Sequence, residues 1–311
     1  MTLDIPRFRS ILVPLDGSPL AEQALPLAVR IAEGAKAKLR LVLVHMPPPP
    51  PIDRASAKVA TSLELAVRKS EKDYLRGLQA KLRETTGRAV GGATLTGRVP
   101  NALADQVTEL GVDLVAIATH GRGGVQRAWL GSVADELIRS LEVPVLVVRP
   151  GASGPPKVGS IIIALDGSAL AEQALGPAAA MADLLGAEVT LVRVIQPVLL
   201  ASDPTLPLPS VYDDEATNLL RAQAQDYLDD LAEKLRAEGI RTTAVASLGW
   251  NVVETLLDLT QAQGLGMIAI ATHGRGGVRR LALGSVADKL VRAAAVPVLV
   301  VRPRPRARRG R

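Results

Sequence analysis

Along the chain, short unbroken apolar runs alternate with longer stretches whose apolar positions recur every three or four residues. RSILVPL (9–15), KLRLVLVHM (38–46), DLVAIATH (113–120) and PVLVVRP (144–150) are runs of strand length, rich in β-branched residues. After the first run, Ala21, Leu25, Ala28, Val29 and Ala32 share one helical face. Ser18 is placed to cap that helix, Pro19 to open it, and Gly34 lies near its end. The same logic predicts a long helix over about 55–86, a strand near 89–96, a short helix near 100–110 and a helix over about 131–141. The second half repeats the order, with strands near 159–165, 188–195, 241–248, 266–272 and 297–302. Strands that alternate with helices predict a parallel α/β sheet with right-handed crossovers and helices on both faces. Continuous apolar strands fit a sheet covered on both sides.

The halves are copies. LDGSPLAEQAL (15–25) returns as LDGSALAEQAL (165–175), and AIATHGRGGV (116–125) returns unchanged at 269–278. GSVAD (131–135) recurs at 284–288, and PVLVVRP at 297–303. This predicts two domains, 1–150 and 158–303, with a Gly- and Pro-rich linker at 151–157 and a basic tail at 304–311. In doubly wound sheets ligands sit at the C-terminal strand ends, where strand order reverses. A shared site predicts that those ends are retained; a shared fold alone predicts that core strands are retained. The retained LDGS follows strand one and the retained THGRGG follows strand four, so the pattern favours a site.

Composition narrows the chemistry. The 311 residues include no Cys, which excludes disulfides, thiolate metal sites and cysteine nucleophiles. Three His (His45, His120, His273) are too few for an imidazole zinc site in one domain. No apolar run suits a membrane helix and no signal-type segment opens the sequence, so the expected location is cytoplasmic, with no membrane partner. Five arginines of the net +6 lie in 304–311, so the charge falls to +1 without that tail. Only six aromatics occur (Phe8, Tyr74, Trp129, Tyr212, Tyr227, Trp250), and no nucleic-acid partner is expected.

The candidate site rests on two segments. Gly121, Gly123 and Gly124 form a loop whose backbone can approach a ligand closely, and Gly131-Ser132 then starts a helix. Unpaired N–H groups at a helix start, beside a glycine loop, make an anion site. Ser132 offers a hydroxyl for capping or for a phosphate oxygen, and Arg122 is placed for outer phosphates. A tight turn with an ordinary N-cap is the competing structural explanation. Asp16 and Asp166 end strand one of each half; each suits a ribose hydroxyl or a phosphate-bound metal, and equally an Asx-turn. No Lys adjoins the motif's second Gly, unlike the loop of motor and signalling NTPases. His120 and His273 are the best-placed bases, yet a neutral turn His is usually structural. His45 falls against Arg193 in the second half, which argues against a shared chemical role.

The halves resemble the universal stress protein family, whose nucleotide signature is Gly, two residues, Gly, nine residues, then Gly-Ser or Gly-Thr. Here Ala118 takes the first position, followed by Gly121 and Gly131-Ser132; the second copy has Ala271, Gly274 and Gly284-Ser285. The resemblance implies a Rossmann-like sheet of the adenine nucleotide alpha hydrolase type, five strands in the order 3-2-1-4-5. It also implies ATP or a related adenine nucleotide, with Mg²⁺ or Mn²⁺ held through the phosphates. Carried over, Pro14, Leu15 and Asp16 border adenine and ribose and Met46 lines the adenine pocket. Ala118, Gly121, Arg122, Gly131, Ser132 and Val133 surround the phosphates. The second set is Ala164, Leu165, Asp166, Val194, Ala271, Gly274, Arg275, Gly284, Ser285 and Val286. Two departures stand out: Ala at the first signature position, and Ala164 in place of Pro14. The family commonly dimerises through strand five, which implies a pseudo-dimer of the two halves, with a homo-oligomer also open. The implied function is ATP-binding stress response or signalling through ligand-dependent conformation. Fast catalysis is not implied; slow hydrolysis or autophosphorylation stays open. The alternatives are a nucleotide-free interaction module and an adenylate-forming enzyme.

Overall fold

Residues 3–47, 54–119, 130–149, 158–201, 211–262, 266–272 and 283–303 are described by the computed structural model. Their contacts define two units, Arg7–Pro155 and Pro156–Arg311, and the first six residues belong with the second.

In the first unit the apolar runs become β1 (Ser10–Leu15), β2 (Lys38–His45), β3 (Gly91–Thr96), β4 (Leu114–Ala118) and β5 (Val145–Val148). They pair in parallel in the order β3-β2-β1-β4-β5. The helices are α1 (Leu25–Ala35), α2 (Arg54–Thr86), α3 (Val99–Glu109) and α4 (Ser132–Ser140). Every residue of β1, β4 and β5 is buried, as expected for strands covered on both faces. Ile11, Leu12, Leu41 and Leu114 are fully enclosed, each contributing roughly 1.5–3 kcal/mol on burial.

The second unit holds β6 (Ser160–Ala164), α5 (Leu175–Leu185), β7 (Glu188–Ile195), β8 (Val198–Ala201), β9 (Val211–Asp213), α6 (Asp214–Ala237), β10 (Thr242–Leu248), α7 (Val252–Ala262), β11 (Gly266–Ala271), α8 (Ser285–Ala293) and β12 (Val298–Val301). Its main sheet runs β10-β7-β6-β11-β12, the order implied by the resemblance. No helix among the described residues is long and apolar enough to cross a membrane.

Three local departures have physical causes. The helix expected from Pro19 begins with a 3-10 turn, Ala21–Ala24, and α1 proper starts at Leu25 with Pro26 in its first turn. Gly34 lies near the end of α1, as expected, but the left-handed cap itself is Lys36 at φ 52°; Gly186 (φ 65°) fills that position in the second unit. After β7, where the sequence pattern predicts no strand, β8 and β9 pair in antiparallel fashion.

Pro14 shapes the point where strand order reverses. It has no N–H for a ladder, and the β1–β4 register covers only Ile11 and Leu12. In the second unit, where Ala164 replaces it, the β6–β11 register runs on to Ala164 itself. The first unit therefore parts its sheet two residues earlier at the switch point.

Candidate nucleotide site

The turn after β1 is built the same way in both units. Gly17 and Gly167 take left-handed φ values of 82° and 84°, which a side chain there would oppose. Asp16 Oδ1 accepts the Ser18 N–H at 2.9 Å, and Ser18 Oγ accepts the Ala21 N–H at 3.2 Å. Asp166 and Ser168 repeat both bonds, at 2.9 and 3.2 Å. The Asx-turn explanation of Asp-Gly-Ser is thus realised, and it holds each carboxylate at the end of the first strand. Ser18 caps the 3-10 turn instead of α1.

The second half of the site is a pinch. Thr119, buried just past β4, gives its N–H to Val148 O at 3.0 Å and accepts the Gly131 N–H at 2.8 Å. Both ends of segment 120–130 are therefore tied at one point. A Cβ on Gly131 would lie 2.9 Å from the Thr119 carbonyl oxygen, so only glycine fits without a shift. The second unit repeats the pinch, with Gly284 N–H to Thr272 O at 2.7 Å and Thr272 N–H to Val301 O at 2.9 Å. Gly131 and Gly284 are the N-caps of α4 and α8, and the first ladder bonds come from Asp135 and Asp288, both at 2.9 Å. The amides of Ser132, Val133 and Ala134 precede that ladder, as do those of Ser285, Val286 and Ala287. This is the arrangement that attracts an anion. Ser132 and Ser285 are exposed at the first helical position, and neither helix start has a side-chain cap bond.

Most sequence-derived positions gather at the C-terminal edge of their own sheet. Pro14, Leu15 and Asp16 end β1; Ala118 ends β4; Gly131, Ser132 and Val133 open α4. Ala164, Leu165, Asp166, Ala271, Gly284, Ser285 and Val286 repeat that set. Ala118 and Ala271 are 7% and 6% exposed. Met46 follows β2 and is 68% exposed. The strand registers pair Ser10 with Lys38 and Ser160 with Glu188, so Met46 corresponds to Gln196 and Val194 to Val44. The same registers correct the pairing of His45 with Arg193: His45 corresponds to Ile195, and Arg193 to Leu43. Gly121, Arg122, Gly274, Arg275, His120 and His273 lie outside the described residues.

Several contacts escaped the sequence reading. Tyr74 on α2 donates its hydroxyl to Glu22 Oε1 at 2.9 Å, and Tyr227 on α6 to Glu172 Oε1 at 3.0 Å. Each clasp fastens the long helix to the turn that carries the aspartate. Two tyrosines on the long helices, each about fifty residues past the Glu of a retained AEQAL, were the available signal. Burial first, then the Glu172 charge and hydrogen bond, push the Tyr227 phenol well above its ordinary range, against the opposing pull of Arg193. The Arg193 guanidinium carbon stands 5.8 Å from the Tyr227 ring centre. Arg139 holds Asp135 through two bonds of 2.9 and 3.0 Å, and Arg292 holds Asp288 with the same two distances. An acidic side chain in the first turn of an anion-binding helix repels the anion; each pairing offsets that repulsion. His45, 1% exposed, bonds Glu71 through Nδ1 at 2.9 Å, while its buried Nε2 lies 3.9 Å from Glu64, beyond hydrogen-bond reach.

The family model for the Universal stress protein family matches this chain twice, over residues 7–149 and 157–302. Among similar proteins, universal stress protein Rv2005c of Mycobacterium tuberculosis is 27% identical over 192 residues, 61% of this chain and 62% of that protein. The match thus spans about three-fifths of that relative. Universal stress protein Rv1996 of the same organism is 26% identical over 311 residues, 94% of each chain. The crystal structure of a universal stress protein from Archaeoglobus fulgidus superposes with a TM-score of 0.67 at 17% identity, covering 94% of this chain and 98% of that one; it supports the fold. With the family model matched once in each half, the chain belongs to the universal stress protein family.

Proposed function

We propose that each half binds an adenine nucleotide, ATP with Mg²⁺ or Mn²⁺ on its phosphates, and that the protein serves stress response or signalling through the conformation of the liganded state rather than through turnover. The observation that carries this reading is the duplicated pinch, Thr119–Gly131 and Thr272–Gly284. Each leaves three successive amides ahead of a helix ladder, beside an aspartate fixed at the neighbouring strand end. The residues fit the group: the amides suit the phosphates, and the aspartate suits a ribose hydroxyl. In this reading the divalent ion is held through the phosphates. Bound ATP supplies a tetra-anionic chain whose charge those amides neutralise. Asp16 and Asp166 orient the sugar, and the Tyr–Glu clasps keep their turns in place.

Ligand-driven signalling requires unequal affinity for two conformations. Micromolar binding supplies about −8 kcal/mol, and a few charge-assisted hydrogen bonds of ~1.5–3 kcal/mol each account for much of it. Calorimetric titration with ATP and Mg²⁺ tests the reading. Two saturable sites are expected; absence of heat and of any thermal shift at millimolar ATP would overturn it. The second reading, a nucleotide-free interaction module, draws on the fact that Gly17, Asp16 and Gly131 all have complete local structural roles.

A further inference from the structure

Two described aromatics of the second unit stand together in the open. Trp250 is 62% and Tyr212 39% exposed, with ring centres 4.8 Å apart at an interplanar angle of 67°. Both belong to additions that the first unit lacks among its described residues. Gly97 N–H bonds His45 O at 3.2 Å and Gly249 N–H bonds Ile195 O at 3.1 Å, which makes the two glycines equivalent. In the first unit the next residue, Arg98, is already the N-cap of α3. In the second, the cap of α7 is Asn251, whose Oδ1 accepts the Val253 and Glu254 N–H groups at 3.0 and 3.4 Å. Trp250 is therefore a one-residue insertion without a counterpart. Tyr212 sits on β9, in the hairpin after β7.

The insertion is held in place. Gln196, just past β7, donates Nε2–H to the Trp250 carbonyl at 2.9 Å. Gly249 has no room for a Cβ because the Thr255 side chain abuts it. A structural explanation by hydrophobic staple fails: the residue before an N-cap packs on an apolar fourth helical residue, and here that residue is Thr255, whose hydroxyl bonds Asn251 O at 2.8 Å. The backbone of Trp250 is thus fixed while its ring stays 62% exposed beside Tyr212.

The sheet order says what reaches it. The helix amides of α8 are tied to the end of β11, and β11 lies on one side of β6. On the other side come β7 and then β10. A nucleotide with phosphates at α8 and its sugar at Asp166 must point its base toward β7 and β10. One strand spacing reaches Gln196 past β7, and two, about 10 Å, reach the end of β10 that precedes Trp250. The same path in the first unit ends at Met46, Gly97 and Arg98, with no aromatic ring.

We propose that Trp250, supported by Tyr212, is a base-stacking residue of the second nucleotide site and makes that site select for an aromatic base more strongly than the first. The proposal rests on the nucleotide reading of the second half. Photolabelling the full chain with 8-azido-ATP and Mg²⁺, followed by peptide mapping, tests it together with calorimetry of variants. Label on Trp250 or Tyr212 that excess ATP prevents is expected. Trp250→Ala should weaken one of two ATP sites about tenfold, as loss of one base–aromatic stack does, while Trp250→Phe keeps most of the affinity. Two intact ATP sites with no label there and no effect of Trp250→Ala would overturn this proposal alone. Loss of self-association in Trp250→Ala with unchanged ATP affinity would assign the patch to a second copy and also overturn it. No ATP binding in the unaltered chain would overturn the nucleotide reading as well.

Discussion

The two units keep the same turns after their first strands and the same starts of α4 and α8, and differ beneath them. On the α2 side of the first sheet, buried His45 meets Glu71 and Glu64. Aligning the helices on their equivalent tyrosines, Tyr74 and Tyr227, puts Ile195, Ala224 and Thr217 in those places. The buried histidine and its two part-exposed carboxylates have changed together, which avoids leaving a buried imidazole without its hydrogen-bond partner. Leu43 has meanwhile become Arg193, laid over Tyr227. By contrast the Asp-Gly-Ser turns, the pinches, the Tyr–Glu clasps and the Asp–Arg pairs of the helix starts are the same in both, most to within 0.1 Å. The interior has exchanged its residues as a set, while the turns after the first strands and the starts of α4 and α8 have kept theirs.

Altering the pinch should have the largest effect. Gly131→Val drives a side chain into the Thr119 carbonyl and displaces the amides, so one of two ATP sites should weaken at least tenfold, each charged hydrogen bond being worth ~1.5–3 kcal/mol. Calorimetric stoichiometry reads this, and two unchanged sites would break the comparison. The interior cluster comes next. His45→Ala removes the hydrogen-bond partner of part-buried Glu71 and should cost about 2 kcal/mol in chemical denaturation. The triple exchange His45→Ile, Glu64→Thr, Glu71→Ala, which installs the residues of the second unit, should cost no more than about 1 kcal/mol. If the triple variant is the less stable, the compensated-exchange account fails.

Tyr227→Phe removes a clasp bond worth about 1 kcal/mol and has an optical signature. Burial and Glu172 raise the phenol pKa in the folded chain above the unfolded value of about 10. The stabilisation is therefore complete below that unfolded value and is lost as pH climbs through the folded one. Tyrosinate absorbance of the folded protein should lose its highest-pH step in Tyr227→Phe. The smallest effect belongs to the part-exposed pairs: Asp135→Asn should cost about 0.5 kcal/mol of stability while slightly tightening ATP in the first half, by removal of a carboxylate from the helix start.

Much of this was legible in the sequence because the chain contains its own comparison. The repeated blocks located the strand ends, and the alternation of strand and helix patterns located the ten parallel strands of the two units. The hairpin β8–β9 was not legible, since prolines at 197 and 204–209 mask a short ladder whose partners are set by tertiary contact. The 3-10 turn before α1 was read as helix because AEQAL fits either period. The counterpart of His45 was misplaced because residues at a strand end carry no pattern; only the ladder register fixes them. Trp250 was counted as one more aromatic, as nothing local shows that it is an insertion.

The central claim concerns six main-chain groups, and amide NMR of the full chain titrated with ATP and Mg²⁺ observes them directly. The account predicts that the Ser132, Val133, Ser285 and Val286 N–H resonances shift downfield and saturate together with the calorimetric heat. Saturable binding that leaves those four resonances in place would contradict it.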